Sequence, residues 1–324
     1  MPNFSWERTL AVVRVLVTLS LLTGLFFAFG FTPGDLVRAI RTADDLQLGL
    51  GFVALSVLLL LLSLKWWVIT RGLGVTLSFF AATRLYLTGT VLNNVLPTAI
   101  GGDLYRVYFL SRESDSGFRR SLASVLIERA TGYAGLLALS APAAAFYFWG
   151  AVPGLAVTSA LLAGCAVAYL VLRRRRADPQ PDGGETWTWR WARLPATSNL
   201  YSVAALSVVQ QALWVSTAAI FGLAYGVSIP WSYWVLTVTA LTLLTMLPVS
   251  VGGLGLREVG YAAVLAPVGV DATKAAAIGL AMGLGPSLVS LVGLVAFVVS
   301  GFPRQSSLAL GGGEISPSAS RAKQ

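Results

Sequence analysis

The chain has 324 residues, of which 56% are hydrophobic and only 11% charged, and its mean hydropathy is +0.74. Soluble domains carry about a quarter charged residues, so this composition excludes a water-facing globule and makes the bilayer the solvent. Histidine is absent and Cys165 is the single cysteine, which removes His-ligated metals, His general bases, Ser-His or Cys-His nucleophiles and any intrachain disulfide.

No metal, haem or other cofactor is expected from such a residue set. The net charge of +9 sits at the edges of apolar segments rather than in one patch. That distribution fits membrane orientation and anionic lipid headgroups, not nucleic acid.

In chain order, the first apolar segment covers 10–31, with Arg8 and Arg14 as a basic flank. It is too long for a signal peptide and has no small-x-small cleavage site, so it reads as a retained anchor. Further spans are expected at 48–64, 121–149, 153–172, 199–225 and 276–300, each near the roughly 20 residues that cross a bilayer. Two other apolar regions, 78–110 and 231–268, are broken by Pro-x-x-x-Gly-Gly and read as re-entrant helical hairpins.

The Lys and Arg pattern orients these segments. The 65–84 connection carries Lys65, Arg71 and Arg84, and the 106–120 connection Arg106, Arg112, Arg119 and Arg120. A 173–197 loop opens on Arg173, Arg174, Arg175 and Arg176 and holds Trp187, Trp189, Arg190, Trp191 and Arg193; it is expected in the cytoplasm, with its Trp and Arg at the headgroup level. The links 150–152 and 226–230 carry no charge. These signs place both termini in the cytoplasm. Residues 303–324 read as a disordered cytoplasmic tail, which leaves 1–302 as one polytopic domain. The expected fold is therefore an all-α integral membrane protein of about six full spans and two oppositely directed hairpins.

An internal repeat is the most specific feature. Residues 96–106, from Leu96-Pro97 through Gly101-Gly102-Asp103 to Arg106, align without a gap on 247–257, from Leu247-Pro248 through Gly252-Gly253-Leu254 to Arg257, at an offset of 151 residues. Three expected spans separate the copies, an odd number, so the copies are inverted across the membrane. Paired broken segments in an inverted repeat point to a transporter-type central site.

The residue types have local reasons. Pro97 and Pro248 end a helix. Gly101, Gly102, Gly252 and Gly253 permit positive φ and close backbone approach. Arg106 and Arg257 bring a permanent charge whose fork matches phosphate, beside helix starts that favour anions. Ser121, Ser124, Glu128 and Thr131, spaced 3, 4 and 3, form one polar stripe on an apolar helix. Glu128 needs a cation from Arg129, Arg106 or Arg257; Asp103 and Arg106 share a helical face; Glu258 adjoins Arg257. Asn93 and Asn94, just before the first break, are placed to satisfy freed backbone groups or to contact a headgroup. A buried structural ion-pair network is the alternative reading of these groups.

Asn93-Asn94-Val95-Leu96-Pro97 through Arg106, then Glu128-Arg129, then Leu247 through Glu258 resemble the lysylphosphatidylglycerol synthase transmembrane, or flippase-like, family over residues 8–302. The resemblance implies a membrane domain, in a bacterial or archaeal cytoplasmic membrane, that moves a phospholipid or glycolipid between leaflets. Full-length synthases append a cytoplasmic aminoacyl-transferase domain. Residues beyond 302 leave no room for one here, so lipid transport is expected rather than synthase activity. Stand-alone relatives are linked to envelope-lipid pathways, which implies partnership with a separately encoded lipid-modifying or glycosyl-transfer enzyme.

The sequence has no G-x-x-x-x-G-K-[ST] loop for ATP. Two readings compete with a transporter. One is a glycosyltransferase using a polyprenyl-phosphate sugar, with Asp44-Asp45 in an outward loop; the other is a non-transporting scaffold for an envelope-lipid enzyme.

Overall fold

The computed structural model describes residues 4–96, 101–113, 117–161, 163–164, 197–247 and 249–299. Pro97, Pro248, Cys165, the Trp-rich loop up to residue 196 and the 303–324 tail lie outside them. Helices make up all the regular structure among the described residues.

Five helices are long and apolar enough to cross a membrane: α1 (Phe4–Phe29), α3 (Asp45–Gly72), α6 (Gly117–Trp149), α8 (Thr197–Ala224) and α11 (Ala272–Val299). A sixth expected span, 153–172, is described only as the short apolar helix α7 (Ala151–Leu161); its remainder lies outside the described residues. Four further short helices flank the two motifs. α4 (Phe79–Val95) and α5 (Gly101–Glu113) flank the first motif, and α9 (Trp231–Thr245) and α10 (Leu256–Leu265) the second. At about 1.5 Å of rise per residue even α4 reaches only about 25 Å. None of the four matches the roughly 30 Å hydrocarbon core alone.

Between α1 and α3 lies α2 (Pro33–Arg41), a nine-residue amphipathic helix. Thr32 caps it reciprocally: the Asp35 N–H donates to the Thr32 hydroxyl, and the Thr32 hydroxyl and N–H donate to the Asp35 carboxylate at 2.7 and 2.9 Å. These bonds hold the Asp35 carboxyl below its ordinary range. Leu36 packs inward while Val37 and Ile40 stay exposed, the pattern of a helix lying on a membrane surface.

The sequence periodicity of α3 shows how the core is chosen. Leu46, Leu50, Val53, Val57 and Leu60 form an exposed stripe, and Gly51, Leu55, Leu58 and Leu59 are buried on the opposite face. Both faces are apolar, so helix packing rather than water exclusion separates lipid-facing from core residues. Small residues let the core close: a Cβ on Gly51 would collide with the Phe221 ring, and one on Gly222 with Trp234.

Packing also relates the two halves. Shifting Asp45–Gly72 by 151 residues gives 196–223, against Thr197–Ala224 for α8; Phe79–Val95 gives 230–246, against Trp231–Thr245 for α9. α6 shifts to 268–300, against Ala272–Val299 for α11. The packings recur with the roles exchanged: α4 lies on α11 and α9 on α6, while α3 packs on α6 and α11 as α8 does. The pair α3 and α8 pack on each other, antiparallel, with the Asp44 N–H at the start of α3 donating to Ala224 O at the end of α8 at 2.8 Å.

All seven basic residues assigned by charge to the 65–84 and 106–120 connections are helical instead, Arg112 at the end of α5 and Arg119 and Arg120 at the start of α6 among them. α3 runs through to Gly72, which takes in Lys65 as well as Arg71, and Arg84 and Arg106 lie within α4 and α5. Only residues 73–78 connect α3 to α4. Lys65 is fully buried: its ammonium has an acceptor inside the bundle, so a charge that marks a loop on average is a core residue here.

Candidate functional site

The first motif copy builds a closed ionic cluster. α5 starts at Gly101; its first turn presents Asp103 and its second Arg106. Arg106 Nη1 donates to Glu128 Oε2 of α6 at 3.0 Å and lies 3.5 Å from Asp103 Oδ1. Arg129 Nε donates to the other Asp103 oxygen at 2.8 Å. The Arg106 guanidinium is also stacked between two rings, with its carbon 4.2 Å from the Trp66 centroid and 4.3 Å from that of Tyr86.

Those rings are themselves held in place. Trp66 Nε1 donates to Ser124 Oγ at 3.1 Å and the Tyr86 hydroxyl to Glu128 Oε1 at 3.3 Å. Lys65 Nζ donates to the Glu128 carbonyl oxygen at 3.1 Å. Arg106 is 4% exposed, Asp103 5% and Glu128 6%, so the charges are compensated where water cannot do it. The expected polar stripe of α6 is present: Ser121 and Ser124 are buried with Glu128, and the Thr131 hydroxyl donates back to Ile127 and Glu128 carbonyls.

α4 and α5 meet backbone to backbone. A Cβ on Gly102 would land on the Gly89 carbonyl oxygen, and the Gly102 N–H donates to Asn93 Oδ1 at 2.9 Å. Gly102 is not among the positive-φ glycines. Its service is close approach, not the reversal of backbone sign expected from the motif.

The second copy folds differently despite its ungapped alignment. Gly252, Gly253 and Gly255 adopt φ of 58°, 78° and 80°, and α10 starts only at Leu256, four aligned positions after the point where α5 is already helical. The Val251 N–H donates to Thr18 Oγ1 of α1 at 2.9 Å, and the Gly255 N–H to Glu258 Oε2. Glu258 therefore serves as the cap of α10. Arg257 is partly buried beside Gly283 of α11. None of the hydrogen bonds or ion pairs among the described residues involves its guanidinium.

The two motif segments touch. A Cβ on Gly252 would lie 2.9 Å from Asn94 Oδ1 and 3.4 Å from the Asn93 carbonyl oxygen. Asn94 Nδ2 donates to Gly283 O at 3.0 Å and to Ser287 Oγ, close to the Pro286 interruption of α11. The asparagine pair is thus divided, Asn93 holding its own hairpin and Asn94 tying it to the other half.

Between the copies lies a cavity of about 290 Å³. Asn93, Asp103, Arg106, Glu128, Arg129 and Arg257 line it, whereas Asn94 and Glu258 do not. Leu55, Leu58, Leu59 and Leu62 of α3 form an aliphatic wall. The cavity is therefore amphiphilic, with a charged end and a hydrocarbon-like side.

Sequence reasoning missed Gln210, Gln211 and Trp214 of α8, which also line the cavity. Gln211 Nε2 donates to Gly132 O at 2.9 Å, and Gln210 Oε1 is buried with no hydrogen-bond partner. Two adjacent amides in the middle of the 199–225 apolar span were the available signal. Asp44 and Asp45 do not line the cavity. Asp44 caps α3, its carboxylate accepting from the Gln47 N–H at 2.8 Å, which gives it a structural task.

Comparison with known proteins agrees with this architecture. An archaeal relative from Methanothermobacter thermautotrophicus, described as a UPF0104 membrane protein, is 25% identical over 331 residues, covering 89% of this chain and 93% of the relative. A further match to a protein of that description in the same organism is 29% identical over 98 residues, 30% of this chain and 29% of the relative. The profile of the lysylphosphatidylglycerol synthase TM region matches residues 11–300. The chain is a multi-pass membrane protein of the lysylphosphatidylglycerol synthase transmembrane-region family.

Proposed function

We propose that this protein moves an anionic or modified lipid across the bilayer through the cavity between the two motif copies. One observation carries the reading. Arg257, a guanidinium with no acceptor among the described residues, lines a cavity whose other wall is the leucine face of α3. A charge in that setting is costly without a ligand, and the ligand that answers both surfaces is an anionic headgroup with acyl chains attached.

The internal relation of the halves supports transport rather than simple binding. Helices equivalent under the 151-residue shift pack antiparallel in the case of α3 and α8, and the remaining packings recur in exchanged form. We read this as an inverted repeat with α4–α5 and α9–α10 as oppositely directed re-entrant hairpins, both termini in the cytoplasm, and rocking of the halves alternating access. The lipid gradient, an ion gradient or the membrane potential supplies the driving force.

The test is transbilayer movement of fluorescent phospholipids in vesicles, read by bleaching of the outer leaflet. Movement is expected with the wild type and is lost in Arg257→Gln and in the Arg106→Ala/Arg257→Ala double variant. Full retention of movement in Arg257→Gln overturns this site.

A further inference from the structure

We propose that the cavity selects a headgroup bearing one negative charge, a phosphodiester held by Arg257, over zwitterionic, aminoacylated and phosphomonoester headgroups. This rests on the transport reading for the presence of a lipid, and on the distribution of charge for its class.

The lining carries three cations, Arg106, Arg129 and Arg257, and two anions, Asp103 and Glu128. Behind it lie Lys65 and Glu258, both buried and neither on the lining. One positive charge remains. It is also localised: Arg106 is ion-paired through Nη1 with Glu128 and Asp103, its Nε and Nη2 being buried without a hydrogen-bond partner, and Arg129 is paired with Asp103. Among the described residues, the lining cation without an ion-pair partner is Arg257.

The repeat explains why. The 151-residue shift carries Asp103 onto Leu254 and Glu128 onto Gly279. A Cβ on Gly279 would lie 3.0 Å from Glu258 Cα, and one on Gly283 would press on Arg257 Nη1. A side chain at either of these two positions of α11 would collide with α10, so neither brings Arg257 a counter-ion. The second copy keeps the arginine and lacks both acids that neutralise the first.

Each competing class fails on a specific count. An ammonium headgroup finds no free carboxylate, since both lining acids already hold guanidinium groups. A phosphomonoester brings a second charge, and the remaining polar lining, Thr90, Asn93, Gln210, Gln211, Thr242 and Thr245, offers it no further cation. A phosphodiester presents two non-bridging oxygens that match the guanidinium fork and one charge that matches the surplus. The buried, unpartnered Gln210 Oε1 on the same cavity adds an acceptor, which favours a headgroup carrying a hydroxyl.

The experiment is native mass spectrometry of the purified full chain with an equimolar mixture of phosphatidylglycerol, phosphatidylcholine, lysyl-phosphatidylglycerol and phosphatidic acid. Phosphatidylglycerol is expected to be retained about tenfold over the others, the size of one charge-assisted contact. Arg257→Gln, with an unchanged melting temperature, flattens that preference. Gln210→Leu removes the advantage of phosphatidylglycerol over phosphatidylmethanol, which lacks the hydroxyls.

Equal or stronger retention of the aminoacylated or zwitterionic lipid overturns the proposal, as does an unaltered preference in Arg257→Gln. Equally tight binding of the soluble diester glycerophosphoglycerol overturns the assignment to a lipid. The same preparation in vesicles separates the two readings. Selective binding without transbilayer movement sinks transport and leaves the charge class standing; movement of all four lipids at one rate does the reverse.

Discussion

The two copies of the Leu-Pro-x-x-[Ile/Val]-Gly-Gly motif end on the same residue in opposite circumstances. Arg106 sits at 4% exposure between Trp66 and Tyr86, with two carboxylates on it. Arg257 lines the cavity with no partner among the described residues. The backbone differs in step: α5 begins at Gly101, while α10 waits for three left-handed glycines before starting at Leu256. A repeated motif therefore does not imply a repeated task. What each arginine does is set by residues outside the motif, Glu128 and Asp103 on one side, Gly279 and Gly283 on the other.

That contrast is open to direct attack through stability. The largest loss is expected for Glu128→Ala, which strands a buried guanidinium and costs about 3–5 kcal/mol; thermal unfolding in detergent measures it. Next comes Gly102→Ala, whose Cβ meets the Gly89 carbonyl and forces α4 from α5 at about 1–3 kcal/mol. Gly253→Ala has more room, 3.2 Å to the nearest side-chain atom, but a φ of 78°, so about 1–2 kcal/mol is expected from backbone strain alone.

Arg257→Gln is placed last, within about 0.5 kcal/mol of wild type, while transbilayer movement of lipid is lost. An Arg257→Gln protein as unstable as Glu128→Ala would erase the difference between the copies and return both arginines to a structural network.

Much of the site was legible because intramembrane charge is rare enough to be informative. Arg106, Asp103, Glu128 and Arg129 stand out against apolar neighbours, and the structure brings all four together. Their pairing was open at the level of sequence, since Arg106, Arg129 and Arg257 were equal claimants to Glu128; the packing of α5 on α6 gives Glu128 to Arg106 and Asp103 to Arg129. Glu258 misled by adjacency. Neighbours on a helix point about 100° apart, and its carboxylate turns back to cap α10 instead of entering the cavity. Lys65 misled through the positive-inside pattern, which counts charges near span ends and is silent about an ammonium that finds a carbonyl within the bundle.

The sequence by itself determined the solvent, the broken segments, the 151-residue repeat and the set of charged side chains available to a site. Those properties depend on composition and on local spacing, which are carried along the chain. Only the tertiary structure decided that Arg106 is sealed and Arg257 left open, that Asn93 and Asn94 serve different halves, and that Gln210 joins the cavity from a distant helix. Each of these depends on which elements face one another across the bundle, and in a chain whose helices are apolar on every side, periodicity alone does not say which face meets which neighbour.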